Sequence, residues 1–293
     1  MTGVKWPGGA RCAVMLTFDF DAETNWLARS PANLRRPGTL SQGTYGAKVG
    51  VPRILDLLRE QALKATFFVP GWVAEHRRGR VEMILGDGHE VGDHGYLHKW
   101  VDPQDPQGEL AEFTGGMEAL ATLGVRPVGY RSPAGETSSN LIRLLAEHDF
   151  TYDSSLMDDV FPYRHALADG DPGPVELPWH WSLDDVPYVS HSMQVMRPMF
   201  TNDHILNIWQ AEFRQIHEWG GLFDLVMHPQ AIGRPSRLVM LAQMIAYMRD
   251  FPGVWFATGA EVAEAWLEQS DGTLSTEITP FIEELVDEER LSR

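Results

Sequence analysis

The chain has 293 residues, 43% of them hydrophobic, with ten Trp and a formal net charge of −17. That is enough apolar material for a sizeable core in one α/β domain. The acidic excess excludes nucleic acid and an anionic membrane as partners, because both would repel it.

No apolar run reaches the roughly eighteen residues that a membrane span needs. Residues 1–9 show no long apolar segment and no cleavage pattern, so the expected location is the cytoplasm. The single cysteine, Cys12, lies in an apolar run and reads as a small buried hydrophobe. The dense acidic run at 283–289 reads as a solvated helix face.

In chain order, residues 13–18 predict a buried strand that ends in Asp19 and Asp21. Residues 22–46 are rich in Pro, Gly, Ser and Asn and read as a long irregular loop, a candidate lid. Helical spacing follows over 51–61, then a strand at 65–69, one or two short helices over 72–87, and a brief strand at 90–92 leading into His94. A helix is expected over 109–123. A short strand at 128–130 leads into Arg131, and Ser138 or Ser139 caps a helix to residue 148. A strand at 150–152 is followed by an irregular Pro- and Trp-containing stretch, 156–202, that reads as an insertion with strands near 175–178 and 179–181. Regularity returns with a helix over 203–219, a strand at 222–227, a helix over 236–249, a strand at 254–256 and a helix over 260–269. The tail 279–293 predicts a separate amphipathic helix.

Alternating strands and helices imply a mainly parallel sheet with helices outside. Without a dinucleotide-type glycine fingerprint, the expected fold is α/β: a single-domain distorted (β/α) barrel of seven strands spanning residues 1–293, with its core over about 11–270. No internal repeat or low-complexity segment divides it.

His94-Gly-Tyr-Leu-His98 can aim two imidazoles at one ion from a helical turn or a tight loop. With eleven His in the chain, about 0.4 such pairs arise by chance, so the pair needs company. Asp19, Asp21, His94, His98, Arg131 and His228 each follow a predicted strand. In a parallel barrel those positions share one mouth. Two His and one carboxylate make a facial ligand set for zinc or another divalent ion. Asp19 and Asp21 repel each other unless a cation is near; a metal taken by one leaves the other to accept a proton from water, with Arg131 holding it ionised. His228, an imidazole titrating near neutrality, is placed to protonate a departing amine. Each residue taken alone has an ordinary structural role, as a cap, a surface His or an ion-pair partner; their shared position argues otherwise.

These clusters resemble the motifs of the polysaccharide deacetylase family, the carbohydrate esterases that share a NodB-like homology domain. Thr17-Phe-Asp19-Phe-Asp21 is similar to its first motif, one residue longer. His94-x-x-x-His98, Arg131-x-Pro133-x-Gly135 and Leu225-x-x-His228 follow in the family's order. The resemblance implies Asp19 as the base, Asp21, His94 and His98 as metal ligands, and the Ala134 N–H as an oxyanion donor beside Pro133. Phe20 and Gly95 depart from the secreted members and resemble a branch that includes peptidoglycan deacetylase-like proteins and relatives of cyclic-imide hydrolases and allantoinases. Pro178-Trp-His-Trp181-Ser-Leu-Asp184-Asp185 also resembles that branch, with Asp184 or Asp185 orienting His228 and Trp181 facing substrate.

The expected activity is metal-dependent hydrolysis of a non-peptide carbon–nitrogen bond, foremost N-deacetylation of an amino-sugar polymer or oligosaccharide. Zinc is the first candidate, with cobalt, nickel, manganese and iron behind it. Cytoplasmic hydrolysis of small cyclic amides and non-catalytic carbohydrate binding are the alternatives. Trp26, Trp72, Trp100, Trp179 and Trp181 are candidates to stack on a sugar, though most such rings are core. A homo-oligomer is expected.

Overall fold

Strand β1 (Cys12–Asp19) is buried along its whole length, and its alternation sorts the molecule into two sides. Cys12, Val14, Leu16 and Phe18 face the larger apolar cluster under the helices, whereas Ala13 and Met15 join an inner cluster with Phe68, Tyr152, Val175 and Leu222. Thr17 and Asp19 continue that inner row, as the period of two requires.

The computed structural model describes residues 4–167, 170–191 and 196–269. The remaining strands are β2 (Thr66–Val69), β3 (Glu90–Asp93), β4 (Gly129–Tyr130), β5 (Tyr152–Asp153), β6 (Tyr163–Ala166), β7 (Pro172–Glu176), β8 (Leu222–Met227) and β9 (Val254–Ala257). They form one curled sheet in the order β6-β7-β5-β4-β3-β2-β1-β8, with β9 also paired to β1. Seven parallel strands run in a row from β7 to β8, the distorted barrel that the strand–helix alternation predicts. The sheet adds an antiparallel edge strand, β6, and sets β9 beside the first half of β1. The β7–β8 gap is spanned by a single bridge, Asp184 to Val226. Cys12 is fully buried; burial pushes its thiol up to about 12. None of the described helices is long and apolar enough to cross a membrane.

Two stretches differ from the sequence-based expectation. Residues 22–46 are largely helical: Thr24–Leu27, a 3-10 turn at Pro31–Arg35, Pro37–Tyr45, then a π turn at Gly46–Gly50 that runs into Val51–Glu60. The glycines that read as loop signals serve close approach instead. A Cβ on Gly43 would lie 2.3 Å from the Ala22 carbonyl oxygen, and one on Gly50 would lie 2.2 Å from that of Pro229. This helical stretch therefore presses on the two loops that carry Asp21 and His228.

The second is 156–202, expected as an insertion. It supplies β7, a full member of the parallel row, paired to β5 through Val175 and Glu176. The strand expected near 175–178 holds the two residues that ladder to β5; Pro172 and Pro174, which argue against an internal strand, lie before them. Trp181–Leu183 forms a 3-10 turn rather than a strand. The tail helix expected at 279–293 lies outside the described residues.

Gly50→Ala is expected to lower stability by about 1–3 kcal/mol through overpacking against the Pro229 carbonyl. Urea denaturation checks this, and an unchanged midpoint would mean the contact can yield freely.

Candidate active site

The carboxyl ends of β1, β3, β4, β5 and β8 meet at one mouth. Asp19, Asp21, His94, His98, Arg131 and His228 come together there, each under 9% exposed. Phe20, between the two aspartates, turns the other way into the helix-side core, so the extra residue keeps both carboxylates on the inner side.

Asp21 Oδ1 stands 3.6 Å from His94 Nε2 and 3.6 Å from His98 Nε2. Two ligands about 2.1 Å from one tetrahedral ion stand about 3.4 Å apart, so the spacing suits a divalent cation. Asp21 Oδ1 and His94 Nε2 are also buried without a hydrogen-bond partner among the described residues, an arrangement that costs free energy unless an ion completes it. The donor set fits a metal of the borderline class. Asn25 and Gln230 donate to the other oxygen, Asp21 Oδ2, at 3.1 and 3.3 Å.

His94 Nδ1 donates to the Arg131 carbonyl at 2.6 Å, which fixes the tautomer and leaves the Nε2 lone pair free to ligate. His94–His98 is a tight loop rather than a helical turn. Gly95 takes φ +69° and His98 takes φ +64°, so the loop needs glycine at 95 and holds its second imidazole in a strained conformation. Glu112 Oε2 accepts the Leu97 N–H at 2.7 Å and secures the turn.

Arg131 is 1% exposed. Its Nη1 donates to Thr17 Oγ1 at 2.8 Å and Asp19 Oδ1 at 3.0 Å. Its Nη2 reaches Ser154 Oγ at 2.8 Å and also Asp224 Oδ2, and Nε donates to the Ser154 carbonyl at 3.0 Å. The guanidinium lies over the Phe68 ring at 4.3 Å. The loop that follows holds Pro133 and then Ala134 at φ +60°.

On the other side, His228 Nδ1 donates to Asp185 Oδ1 at 2.8 Å, and Asp185 Oδ2 accepts the His228 backbone N–H at 3.1 Å. Asp184 Oδ1 lies farther from Nδ1, at 3.7 Å, and accepts the Val186 N–H. Asp185 is therefore the residue that orients the ring. His228 Nε2 faces Asp19 Oδ2 at 3.9 Å and Asp21 Oδ2 at 3.7 Å. Trp181 is 40% exposed, edge-on to Trp179 at 4.8 Å, while Trp26 and Trp179 are buried and Trp100 lies out on the surface.

Burial pushes the His94 and His98 imidazoles down to about 4, so both are neutral at pH 7, the form that ligates. Burial raises the Asp21 carboxyl although His228 and His94 pull it down. Burial works against Asp19 too, but Arg131, His94 and His228 outweigh it and hold that carboxyl below its ordinary range. The reverse balance acts on His228: burial opposes its charge, yet Asp184, Asp21 and Asp185 carry the imidazole well above its usual value.

The sequence pattern missed Asp224, Thr17, Ser154, Asn25 and Gln230. Asp224 left a usable signal: it is the one charged residue inside the otherwise apolar strand Leu222–Met227, and a charge buried there demands a partner.

The curled parallel sheet with these residues at its carboxyl end defines a barrel-type hydrolase scaffold. The family model for polysaccharide deacetylase matches residues 39–152. A peptidoglycan deacetylase of Helicobacter pylori is 30% identical over 279 residues, covering 86% of this chain and 95% of the relative. A solved structure from Mycobacterium smegmatis, assigned to the polysaccharide deacetylases, is 40% identical with a TM-score of 0.88, covering 92% of this chain and 95% of its own. An allantoinase structure has a TM-score of 0.80 at 23% identity, covering 92% of this chain and 94% of its own, a likeness of fold. The chain belongs to the polysaccharide deacetylase family.

The depressed imidazoles are expected to make the protein acid-sensitive when no ion is bound. An unfolded His titrates near 6.5 and folded His94 and His98 near 4. The unfolded chain thus binds more protons between those values, and the stability these two residues contribute, complete above pH 6.5, is lost as pH falls toward 4. Thermal unfolding of the chelated protein from pH 7.5 to 4.5 is expected to show this loss, and His98→Gln to reduce its slope. An identical slope in the variant would count against neutral, buried imidazoles.

Proposed function

We propose that this chain is a metal-dependent N-deacetylase of amino-sugar glycans of the peptidoglycan type, with Asp21, His94 and His98 as ligands and zinc as the first candidate ion. The reading rests above all on the orphaned Asp21 Oδ1 and His94 Nε2, set beside one carboxylate held ionised and one imidazole held protonated. The kinship with a peptidoglycan deacetylase supports the substrate class.

A divalent cation at the trio supplies Lewis acidity toward water and the amide carbonyl. The chain's own groups supply the proton transfers. Asp19, kept as carboxylate by Arg131, takes a proton from the water that adds to the acetyl carbon. The Ala134 N–H, on the left-handed turn after Arg131, is the candidate donor to the developing oxyanion. His228, braced at Nδ1 by Asp185, gives its Nε2 proton to the sugar nitrogen as the carbon–nitrogen bond breaks, and that bond's electrons remain on nitrogen. Acetate and a free amine result. Trp181, half-exposed at the turn that precedes Asp184, offers an aromatic face to a sugar ring.

Hydrolysis of small cyclic amides is the less favoured reading, since the allantoinase likeness is one of fold. A non-catalytic binder would have no use for a buried Asp19–Arg131 pair facing a charged His228. Acetate release from peptidoglycan fragments and N-acetylglucosamine oligomers, with succinimide and hydantoin as controls and with and without chelator, tests the proposal. Chelator-sensitive acetate release is expected; turnover of the cyclic amides alone would overturn the assignment.

Asp19→Asn is expected to keep its metal while losing about 10²–10⁴ in kcat. Asp21→Ala is expected to lose metal and activity together. Elemental analysis beside steady-state kinetics separates the two roles, and metal loss from Asp19→Asn would reverse them.

A further inference from the structure

A second buried cluster lies on the outer face of the sheet, opposite the inward Tyr152 and Val175. It comprises Asp153 on β5, His165 on β6 and Glu176 on β7, with one ligand atom from each within 4.8 Å of the others. Its spacing differs from that of the Asp21 trio. His165 Nε2 sits 2.8 Å from Glu176 Oε2, a hydrogen-bond length rather than the wider gap between ligands of one ion. Glu176 Oε1 accepts the backbone N–H groups of Ser155 and Leu156, both at 2.8 Å. Asp153 Oδ1 accepts the Ser154 N–H at 2.9 Å and the Ser155 hydroxyl at 2.6 Å.

One atom is left over. Asp153 Oδ2 is buried and has no hydrogen-bond partner among the described residues. Two buried carboxylates within this distance disfavour each other's charge, and a proton on one relieves the repulsion; His165 Nε2 is turned to Glu176 Oε2 rather than to Asp153 Oδ2. A proton on Asp153 converts the orphan acceptor into a donor toward Glu176.

The cluster reaches the active site through the turn it holds. Ser154 receives two of the Arg131 guanidinium hydrogen bonds. Ser155 Oγ accepts the Ser132 N–H at 2.9 Å, and the Ser155 carbonyl accepts the Trp179 indole N–H at 3.1 Å. We propose that Asp153 is kept as a neutral acid sharing its proton with Glu176, braced by His165, and that this trio positions the Ser154–Ser155 turn and through it Arg131 and Ser132. These are positioning residues, and the claim on catalysis rests on Arg131 holding Asp19 as the reactive carboxylate. Burial and the neighbouring Glu176 push the Asp153 carboxyl well above its ordinary range, in agreement. The other titratable groups facing the pair are the phenols of Tyr130 and Tyr163, which burial pushes up as well.

Infrared difference spectroscopy of wild type against Asp153→Asn at neutral pH reads the proton without any substrate. The carbonyl band of a protonated carboxylic acid is expected in wild type and absent in the variant; no such band overturns the neutral acid. The Arg131 Nε–H resonance, followed by NMR, is expected to move in Asp153→Ala and Ser155→Ala but to stay in Asp153→Asn, which keeps the shape and the Oδ1 acceptor. If the protein deacetylates, kcat follows the same pattern: near wild type in Asp153→Asn, and about ten- to a hundredfold lower in the other two with KM and metal content unchanged. Asp153→Asn falling as far as Asp153→Ala, or Ser155→Ala leaving the resonance and kcat unmoved, overturns the positioning role. Two metal ions per wild-type chain and one in Asp153→Asn would place a cation where the proton is proposed. A wild type that deacetylates nothing sinks the functional reading while the infrared band and the resonance still decide this one.

Discussion

One buried guanidinium ties the barrel mouth together. Arg131 leaves β4 and crosses the interior to reach Thr17 and Asp19 on β1, Ser154 after β5 and Asp224 on β8. In the sheet order β4 stands three strands from β1 and four from β8, so the contacts to Thr17, Asp19 and Asp224 cross the barrel, whereas Ser154 follows the neighbouring strand β5. Breaking a buried ion pair from one side typically costs about 3–5 kcal/mol, because the remaining charge has no other solvent. Here two carboxylates depend on the same cation. Lysine could not replace it, since a single ammonium lacks the planar fork that serves four partners at once.

That guanidinium also sets the charge balance of the site. It neutralises one of the two carboxylates it touches, so the Asp19–Arg131–Asp224 group keeps a net negative charge. Asp21 adds to this beside it. The excess favours a cation at the Asp21–His94–His98 trio and a protonated His228 across from it. The Arg131 backbone takes part as well, since its carbonyl fixes the His94 tautomer. One residue thus fixes both the Asp19 carboxylate and the His94 ring.

Three buried carboxylate–histidine groups occur among the described residues, and spacing separates what they can hold. Gaps of 3.6 Å around Asp21 leave room for an ion. Contacts of 2.8 Å at His228–Asp185 and His165–Glu176 are filled by a proton. Residue type alone does not distinguish them; only the distances do.

Much of this was legible in the chain. Alternating apolar periods marked nearly every strand and helix of the barrel, and polar residues directly after strands marked the mouth, because a parallel sheet collects its strand ends on one rim. Local rules failed where tertiary contact overrode them. The glycines at 43 and 50 looked like loop signals but admit a helix against neighbouring backbone, and the strand expected near 175–178 lies in a stretch that read as an insertion but joins the parallel row. Sequence therefore determined the fold class and the identity of the six residues at the rim, since both follow from periodicity and strand ends. The tertiary structure alone decided which carboxylate stands 3.6 Å from both imidazoles, which of Asp184 and Asp185 braces His228, and that Asp224 completes the Arg131 group. Those outcomes depend on distances of a few ångström between segments far apart in the chain, which no local pattern encodes.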